Sequence, residues 1–398
     1  MIGPRTLVTP GLTVLLVCYL FSFAWASDKT PLTDIDWAAY TKSEPDGRNI
    51  IHIPPGVYRI SKSIRIPSNT IFEGEGKVTV LRAEAPFTGP RFLTNADFTN
   101  GNRNIIVRNL KIEFGLPVLP GDAIGILRFK NVERLEIDNL TMVLDSQMYG
   151  IDLAGQLSNA TVERCTITNM NKVSGGGIMI RNGDPLPARA TSDITVRNNR
   201  IESVSDEPLA VFGWQGIVEQ IRIEKNTIRA AGASFGITAY GIDSKKQRGS
   251  LRDVQIVGNH ISGGKIGGIA VKGGARSVDV QNNMIEDTKG DGIFLHSGGE
   301  GLPGVEDIRI HHNTILRAGR HCIFAAGEKI RVSENMITNC SQSGVYVAGD
   351  VSVLDNDIKG AKPGIIVDSG QENNIRRNTL HDCGMLRILK TRGTVFEK

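Results

Sequence analysis

The sequence predicts an all-β solenoid built from stacked coils, and a repeated phrase carries most of that prediction. An alternating apolar stretch, then Asn, then one residue and an aliphatic residue, recurs along the chain, as at Ile106–Ile112 and Ile308–Ile315. The Asn position of this phrase is occupied by Asn109, Asn139, Cys165, Asn199, Asn226, Asn259, Asn283, Asn313, Asn335, Asn356 and Asn378. Alternation with a period of two indicates strands rather than helices.

The spacing of the phrase predicts the size of one coil. The shortest interval, from Asn335 to Asn356, is 21 residues, which suits three short strands and three bends. A second marker in each coil is a Gly that opens an apolar-x-apolar strand, as in Gly150–Leu153, Gly177–Ile180, Gly268–Val271, Gly292–Leu295 and Gly344–Val347. Together the two markers predict about 11–13 coils.

Stacking explains the repeated Asn without any catalytic role. Coils about 4.8 Å apart pair each backbone group with the coil above and the coil below. Asn amides at the same bend of successive coils can then hydrogen-bond along the stack. We therefore expect a structural ladder, with Cys165 as a buried thiol in one of its positions.

The N-terminus predicts export. Arg5 precedes an apolar stretch from Leu7 to Phe23, and Ala24-Trp25-Ala26 follows as a small-x-small cleavage site. Residues 1–26 therefore read as a signal peptide, with a periplasmic or secreted mature chain that has no membrane span. The alternative is a membrane anchor in the same segment.

The predicted mature chain has three parts. Residues 27–48 form an N-terminal cap or linker, in which Thr33-Asp34 could start a short capping helix that carries Trp37 and Tyr40. Such a cap would cover the exposed edge of the first coil. Residues 49–385 form the solenoid, and residues 386–398 form a C-terminal tail or cap.

The charge distribution bears on the class of partner, and the cysteine spacing bears on metal binding, redox chemistry and disulfides. The formal net charge is +4, and the Lys and Arg residues are scattered, which argues against nucleic acid and suits an anionic partner. Cys165, Cys322, Cys340 and Cys383 match no zinc or redox spacing. A disulfide among the last three is compatible with export, and the sequence leaves its pairing open.

The entry segment carries a family resemblance. Ile53–Ile60, Ile64–Thr70 and Gly74–Gly76, followed by the repeats, resemble the right-handed parallel β-helix of the pectate-lyase-like superfamily. That superfamily includes polysaccharide lyases, glycoside hydrolases, epimerases and phage tailspikes. The resemblance implies this fold from about Asn49 onward and a polysaccharide partner, but one fold hosts several chemistries. No cofactor is evident; Ca²⁺, which related lyases use, is possible.

Insertions in the longer coils predict the binding face. Extra residues occur at Val173–Gly176, Gly183–Ser192, Gly232–Ser250 and Ser297–Gly304. Inserted loops of a solenoid usually emerge on its binding face. In relatives, the Gly-apolar strands and their loops form the sugar-binding groove. In the coil with the longest insertion, either Gly236-Ile237 or Gly241-Ile242 begins the strand.

Outward positions of these strands supply the candidate site residues. The candidate catalytic residues are Asp152, Arg181, Asp206, Glu207, Asp243, Lys245, Lys272 and His296. The candidate substrate-binding residues are Tyr149, Phe212, Trp214, Tyr240 and Phe324, whose rings could contact sugars.

Eliminative cleavage of an acidic polysaccharide is the leading hypothesis. It needs a base beside a uronate carboxylate, drawn here from Lys245, Lys272 or His296, and a cation such as Arg181 to neutralise that carboxylate. Hydrolysis would instead need two carboxyl groups, such as Asp152 with Asp206 or Glu207.

Two partial resemblances and one non-enzymatic reading complete the alternatives. Asp206-Glu207 resembles the paired acids of polygalacturonase-like hydrolases, although the Gly-His-Gly of that family is absent. Tyr149-Gly150-Ile151-Asp152 resembles the Tyr-Gly-x-Asp of β-helix mannuronan epimerases, which implies uronate C5-epimerisation, although Leu153-Ala154 replaces Pro-His. A non-catalytic polysaccharide-binding or assembly protein of the cell envelope is the remaining class. The sugar, its linkage and the oligomeric state are not set by the sequence.

Overall fold

Alternating apolar residues along almost every strand fold the chain into a right-handed parallel β-helix. The computed structural model describes residues 40–119, 124–182, 189–214, 216–241, 251–297, 304–384, 387–388 and 394–397. Each coil contributes three strands, and each strand pairs in parallel with its counterpart in the next coil, as β8 (Tyr149–Ala154) does with β11 (Ile178–Asn182). The predicted fold class is confirmed.

Three faces run along the helix. The front face, opened by the Gly-apolar strands, contains β6 (Gly125–Lys130), β8, β11, β14 (Leu209–Gly213), β17 (Phe235–Gly241), β20 (Gly267–Gly273), β23 (Asp291–His296), the first half of β26 (Ile323–Ser333), the first half of β28 (Val345–Leu354), β30 (Ile365–Ser369) and β33 (Arg387–Ile388). The second face, whose strands precede the Asn position, contains β9 (Ser158–Glu163), β12 (Thr191–Arg197), β15 (Val218–Glu224), β18 (Leu251–Val257), β21 (Ala275–Gln281), β24 (Glu306–His311), the second halves of β26 and β28, β31 (Asn374–Arg376) and β34 (Val395–Glu397). The third face contains β10 (Thr166–Asn169), β13 (Arg200–Ser203), β16 (Thr227–Ala230), β19 (His260–Gly263), β22 (Met284–Glu286), β25 (Thr314–Leu316), β27 (Met336–Thr338), β29 (Asp357–Lys359) and β32 (Thr379–His381).

Longer strands that continue around the bends build the first coils: β1 (Thr41–Ser43), β2 (Asn49–His52), β3 (Gly56–Ile66), β4 (Thr70–Asn95), β5 (Asn102–Phe114) and β7 (Val132–Leu144). β1 pairs antiparallel with β2. The predicted capping helix falls on residues that lie mostly outside the described part, and the described stretch from Thr41 onward is strand and turn. Within the predicted C-terminal segment, β33 and β34 pair with β30 and β31.

The inward aliphatic side chains of all three faces form one continuous core along the helix axis. β17 begins at Phe235, so Gly236-Ile237 opens the strand in the coil that the sequence left undecided. Cys322 and Cys340 form a disulfide, while Cys165 and Cys383 are free thiols. In the described residues no helix is long and apolar enough to cross a membrane.

The Asn ladder runs from Asn199 to Asn378. The backbone N–H and side-chain amide of Asn226 both donate to Oδ1 of Asn259, at 3.0 and 2.9 Å, and the same pattern repeats in later coils. Cys165 occupies the ladder position of its own coil, where its backbone N–H donates to Asn199 Oδ1 at 2.9 Å. The predicted ladder is therefore present in these coils.

The placement of Asn109 and Asn139 in this ladder was wrong by one residue. Strand register aligns Leu110 and Leu140 with the ladder position. Asn109 and Asn139 instead adopt the left-handed conformation, with φ of 55° and 50°, like the residue before each ladder Asn. Asn tolerates this conformation well, so two distinct structural demands select the same residue type.

Candidate functional site

The front face presents outward side chains in two columns, which the strand register defines. The first column runs Arg128, Asp152, Met179, Ala210, Thr238, Ala270, Phe294, Phe324 and Tyr346. The second column runs Lys130, Ala154, Arg181, Phe212, Tyr240, Lys272 and His296. Seven of the predicted site residues therefore lie in these two columns: Asp152, Arg181, Phe212, Tyr240, Lys272, His296 and Phe324.

Asp152 is enclosed between two arginines. Arg181 binds it through Nε and Nη2, at 2.9 Å to Oδ1 and 3.0 Å to Oδ2, and Arg128 Nε lies 2.9 Å from Oδ2. The Asp152 side chain is fully buried, and both arginines are nearly so. A buried carboxylate that contacts two guanidinium groups positions both of them, which suits support rather than contact with a substrate.

Tyr149 and Glu207 form a pair that spans two coil spacings. Gly176 lies between them, and a Cβ at that position would stand 2.3 Å from Tyr149 Cε1 and 2.4 Å from the Glu207 carbonyl oxygen. The absent side chain leaves room for the Tyr149 hydroxyl to hydrogen-bond the Glu207 carboxylate. Tyr149 also packs against Met179 and Ala210 in a small apolar cluster.

Burial shifts the protonation equilibria of this pair. Desolvation raises the pKa of Tyr149 well above its usual value, and the neighbouring Glu207 carboxylate adds to that effect. Desolvation also raises the pKa of Glu207, while Lys272 acts in the opposite direction. Tyr149 is therefore a neutral hydrogen-bond donor near neutral pH, and Glu207 holds a proton more readily than an exposed carboxyl group.

Lys272 is half-buried among aromatic rings. Its ammonium lies 4.8 Å from the ring centroid of Phe235 and 5.1 Å from that of Tyr240. Desolvation lowers the pKa of Lys272, and the Glu207 carboxylate partly offsets this shift. A lysine whose neutral form is favoured by burial can accept a proton, as a general base must. The structure therefore brings together Tyr149, Glu207 and Lys272, which we call the Glu207 cluster.

Two predicted residues lie at the margin of this cluster. Asp206 precedes Glu207, and its Oδ2 accepts a hydrogen bond from the Gly175 N–H at 2.8 Å, so it fixes the loop that contains Gly176. Trp214 follows β14 with about half of its surface exposed. Asp243 and Lys245 lie outside the described residues.

Beyond Lys272 the first column becomes a stack of aromatic rings. Phe294 and Phe324 have centroids 5.3 Å apart, and Phe324 and Tyr346 lie 5.0 Å apart with nearly parallel planes. The His296 ring stacks on Phe294 at 5.4 Å. The stacked rings form a continuous apolar row along this part of the front face.

A polar layer supports these rings, and the sequence analysis missed His321. Ser343 Oγ lies 2.7 Å from Nδ1 of His321, and Asp291 Oδ1 accepts the His321 backbone N–H at 3.0 Å. Burial lowers the pKa of His321 to about 4, with Arg320 adding to the effect, and burial raises the pKa of Asp291. Tyr149 precedes the front-face Gly150, and strand register aligns Glu207 and His321 with the same position in coils where Pro208 and Cys322 replace the Gly. The missing Gly hides His321 from a search based on that marker.

The remaining predicted features concern loops and metal ions. The inserted segments that begin at Gly183, Gly232 and Ser297 adjoin front strands, but large parts of them lie outside the described residues. Within the described ranges, no group of three His, Cys, Asp or Glu side chains could hold a metal ion.

Comparisons with known proteins agree with this architecture. A phage-related protein of Bacillus subtilis (strain 168), YobO, is 30% identical over 123 residues, which cover 29% of this chain and 15% of that protein. The chain therefore spans only a small part of that relative's length. The A-module of the mannuronan C-5 epimerase AlgE6 from Azotobacter vinelandii superposes with a TM-score of 0.54 at 15% identity, covering 89% of this chain and 92% of that one. A family 28 exopolygalacturonase from Yersinia enterocolitica gives a TM-score of 0.60 at 12% identity, covering 93% and 76%.

These structural likenesses concern the fold, since identity is low. The sequence itself matches the model of the family described as the right handed beta helix region at residues 98–285, 190–358 and 322–398. These overlapping matches take in most of the chain, including the whole front face from β6 onward. The chain belongs to the right-handed β-helix family.

Proposed function

We propose that the chain is an exported enzyme that cleaves an acidic polysaccharide by elimination, at the Glu207 cluster. The observation that carries this proposal is the half-buried Lys272, whose pKa is lowered on a face lined with aromatic rings. The β-helix neighbours include an epimerase and a polygalacturonase, which supports a polysaccharide partner.

In the proposed reaction, the neutral amine of Lys272 removes the proton beside the uronate carboxylate. The electrons of the broken C–H bond form the new C=C bond, and the bond to the glycosidic oxygen breaks. The departing oxygen then takes a proton from the Lys272 ammonium, so the enzyme returns to its starting state. Glu207, fixed by Tyr149, holds the ammonium in place between these two transfers.

Arg181 acts at a different sugar from Lys272. The two residues are three coils apart in the second column, about 14 Å at the backbone. Arg181 also directs two of its nitrogen atoms at Asp152. His296, one coil beyond Lys272, is the neighbouring group that can donate to the reacting carboxylate.

Hydrolysis is a second candidate function, which the raised pKa of Glu207 favours. A carboxyl group that retains its proton can act as a general acid toward the glycosidic oxygen. Asp206 would supply the second carboxylate, because both oxygens of Asp152 already face arginines.

The Cys322–Cys340 disulfide supports the proposed periplasmic or secreted location, since disulfides persist in oxidising compartments.

The test is an assay of the purified chain on a panel of uronate polysaccharides. Elimination produces unsaturated ends that absorb in the ultraviolet, hydrolysis produces reducing ends without that absorbance, and epimerisation exchanges the C5 proton without cleavage. Binding without any of these changes would indicate a non-catalytic polysaccharide-binding protein.

Two variants of the same lysine sharpen the assay. Lys272→Arg keeps the positive charge but cannot accept a proton at neutral pH, so we expect binding to persist while elimination is lost. Lys265→Arg, on an exposed loop of the same coil, is the matched control. Full elimination activity in Lys272→Arg would refute Lys272 as the base.

A further inference from the structure

Two adjacent histidines at the bend between the second and third faces bring their rings together. His311 ends β24, and His312 follows it with a left-handed φ of 54°. The Nδ1 atoms of the two rings lie 2.8 Å apart, and the ring planes are close to perpendicular. The Glu207 cluster lies on the front face, so the proposed elimination does not use this histidine pair.

A carboxylate holds each ring from its far side. Nε2 of His311 lies 2.8 Å from Oδ1 of Asp279 in the preceding coil, and Nε2 of His312 lies 2.9 Å from Oε2 of Glu334 in the following coil. An ionised carboxylate only accepts hydrogen bonds, so each Nε2 carries a proton. In the neutral rings both Nδ1 atoms therefore present lone pairs, and two lone pairs at this distance repel each other unless they share a cation.

The backbone of the pair is fixed by its own coil and by the next one. The His311 carbonyl accepts a hydrogen bond from the ladder amide of Asn313 at 3.1 Å, and the His312 N–H donates to the Ser333 carbonyl at 3.3 Å. The His311 side chain is mostly buried, whereas about half of the His312 side chain is exposed. The pair is therefore positioned before a ligand binds, while the exposed ring can still turn its lone pair toward that ligand.

We propose that His311 and His312 bind one divalent transition-metal ion through their Nδ1 atoms, as a two-histidine chelate whose coordination is completed by water. With metal–nitrogen bonds of about 2.1 Å, two nitrogen atoms 2.8 Å apart subtend about 84° at the metal. That angle is close to the roughly 90° of square-planar complexes, which Ni²⁺ and Cu²⁺ favour. Tetrahedral Zn²⁺ would need the nitrogen atoms about 3.4 Å apart. The geometry therefore favours Ni²⁺ or Cu²⁺, and Asp279 and Glu334 are the carboxylates that orient the two ligands.

Titration of the full chain with metal ions alone tests this site. The protein is freed of metal with a chelator, dialysed, and titrated by calorimetry with NiCl₂ and separately with ZnCl₂. The test variants are His312→Gln and Glu334→Gln. The control is His260→Gln, which removes a similarly exposed imidazole that lies 2.7 Å from Glu286 and contacts no second histidine among the described residues. Thermal unfolding of each variant confirms that it is folded.

We expect the wild-type chain to bind one Ni²⁺ ion at this pair, more tightly than Zn²⁺. His312→Gln should weaken Ni²⁺ binding by more than about tenfold, because one of the two ligands is lost, and Glu334→Gln by about tenfold, because the carboxylate that orients the ring is lost. His260→Gln should leave the affinity unchanged. With Cu²⁺, the electron paramagnetic resonance spectrum should show splitting from two nitrogen atoms in the wild-type chain and from one in His312→Gln.

Three results would overturn the inference. They are the absence of Ni²⁺ binding by the wild-type chain, an unchanged Ni²⁺ affinity in His312→Gln, or an equal loss of affinity in His260→Gln. In the first case the two Nδ1 atoms share a proton instead of a metal ion. Tighter binding of Zn²⁺ than of Ni²⁺ would refute the square-planar geometry, and unchanged binding by Glu334→Gln would refute the orienting role of that carboxylate. None of these results depends on glycan cleavage, so the proposed function is tested separately by the cleavage assay.

Discussion

Gly176→Ala should disable the Glu207 cluster through one added methyl group. The new Cβ would lie 2.3 Å from Tyr149 Cε1 and 2.4 Å from the Glu207 carbonyl oxygen, well inside van der Waals contact. The tyrosine ring must therefore move by about 1 Å, and the Glu207 backbone cannot yield as easily because its carbonyl oxygen accepts a hydrogen bond from the Gly177 N–H of the preceding coil.

The magnitude follows from these distances. A displacement of about 1 Å at a catalytic group can cost roughly a hundredfold in rate. Overpacking at a buried position costs about 1–3 kcal/mol in the free energy of unfolding. We therefore expect a folded protein of reduced stability, with cleavage reduced by roughly two orders of magnitude.

The assay compares the initial cleavage rate and the urea unfolding midpoint of Gly176→Ala with those of Gly115→Ala. A Cβ at Gly115 would meet nothing within 4 Å, so that variant controls for the change of residue type. Tyr149→Phe, which removes only the hydroxyl, should reduce the rate with little change in packing. A wild-type rate in both Gly176→Ala and Tyr149→Phe would refute the role of the Tyr149–Glu207 pair.

Three further predictions concern the scaffold. Asn283→Ala removes the acceptor of the Asn259 N–H and the donor to the Ile256 carbonyl, and should lower the free energy of unfolding by about 3 kcal/mol in urea; Asn139→Gly, at an exposed turn, should cost far less. The pKa of His321 is about 4 in the folded chain against 6.5 in the unfolded chain, so the unfolded state binds more protons between these pH values. The free energy of unfolding should therefore fall as pH falls through that window, by up to about 1.4 kcal/mol per pH unit. His321→Asn should lose this share of the dependence of unfolding free energy on pH, and an unchanged dependence would contradict the assignment. Cys322→Ser opens a disulfide between residues 18 apart in sequence and should cost about 3 kcal/mol, whereas Cys383→Ser, at a free thiol, should leave the unfolding midpoint in place.

The sequence predicted the coils because the pattern that forms them is local. Alternation within each strand and the Gly before most front strands are visible in short windows, and they placed Lys272 and His296 correctly on the front face. The ladder error at Asn109 and Asn139 has a physical cause. Both the ladder position and the left-handed turn before it favour Asn, and only the strand register separates them.

The grouping of the site could not be predicted in the same way. Tyr149 and Glu207 are 58 residues apart, and their contact depends on the absence of a side chain at Gly176. The burial of Asp152 depends on Arg128, which belongs to another coil and had not been identified as a candidate. Pairing across coils depends on coil length, which varies wherever a loop is inserted.

The Tyr149–Glu207 contact also affects the order in which the coils of this molecule should unfold. In an ideal solenoid each coil contacts only its two immediate neighbours, so unfolding from the ends can proceed one coil at a time. The hydrogen bond between Tyr149 and Glu207 passes over Gly176 and links one coil to the second coil beyond it, so these three coils must unfold together. The middle of the rod should therefore exchange its amide hydrogens as a single block, while the repeats toward either end exchange one after another.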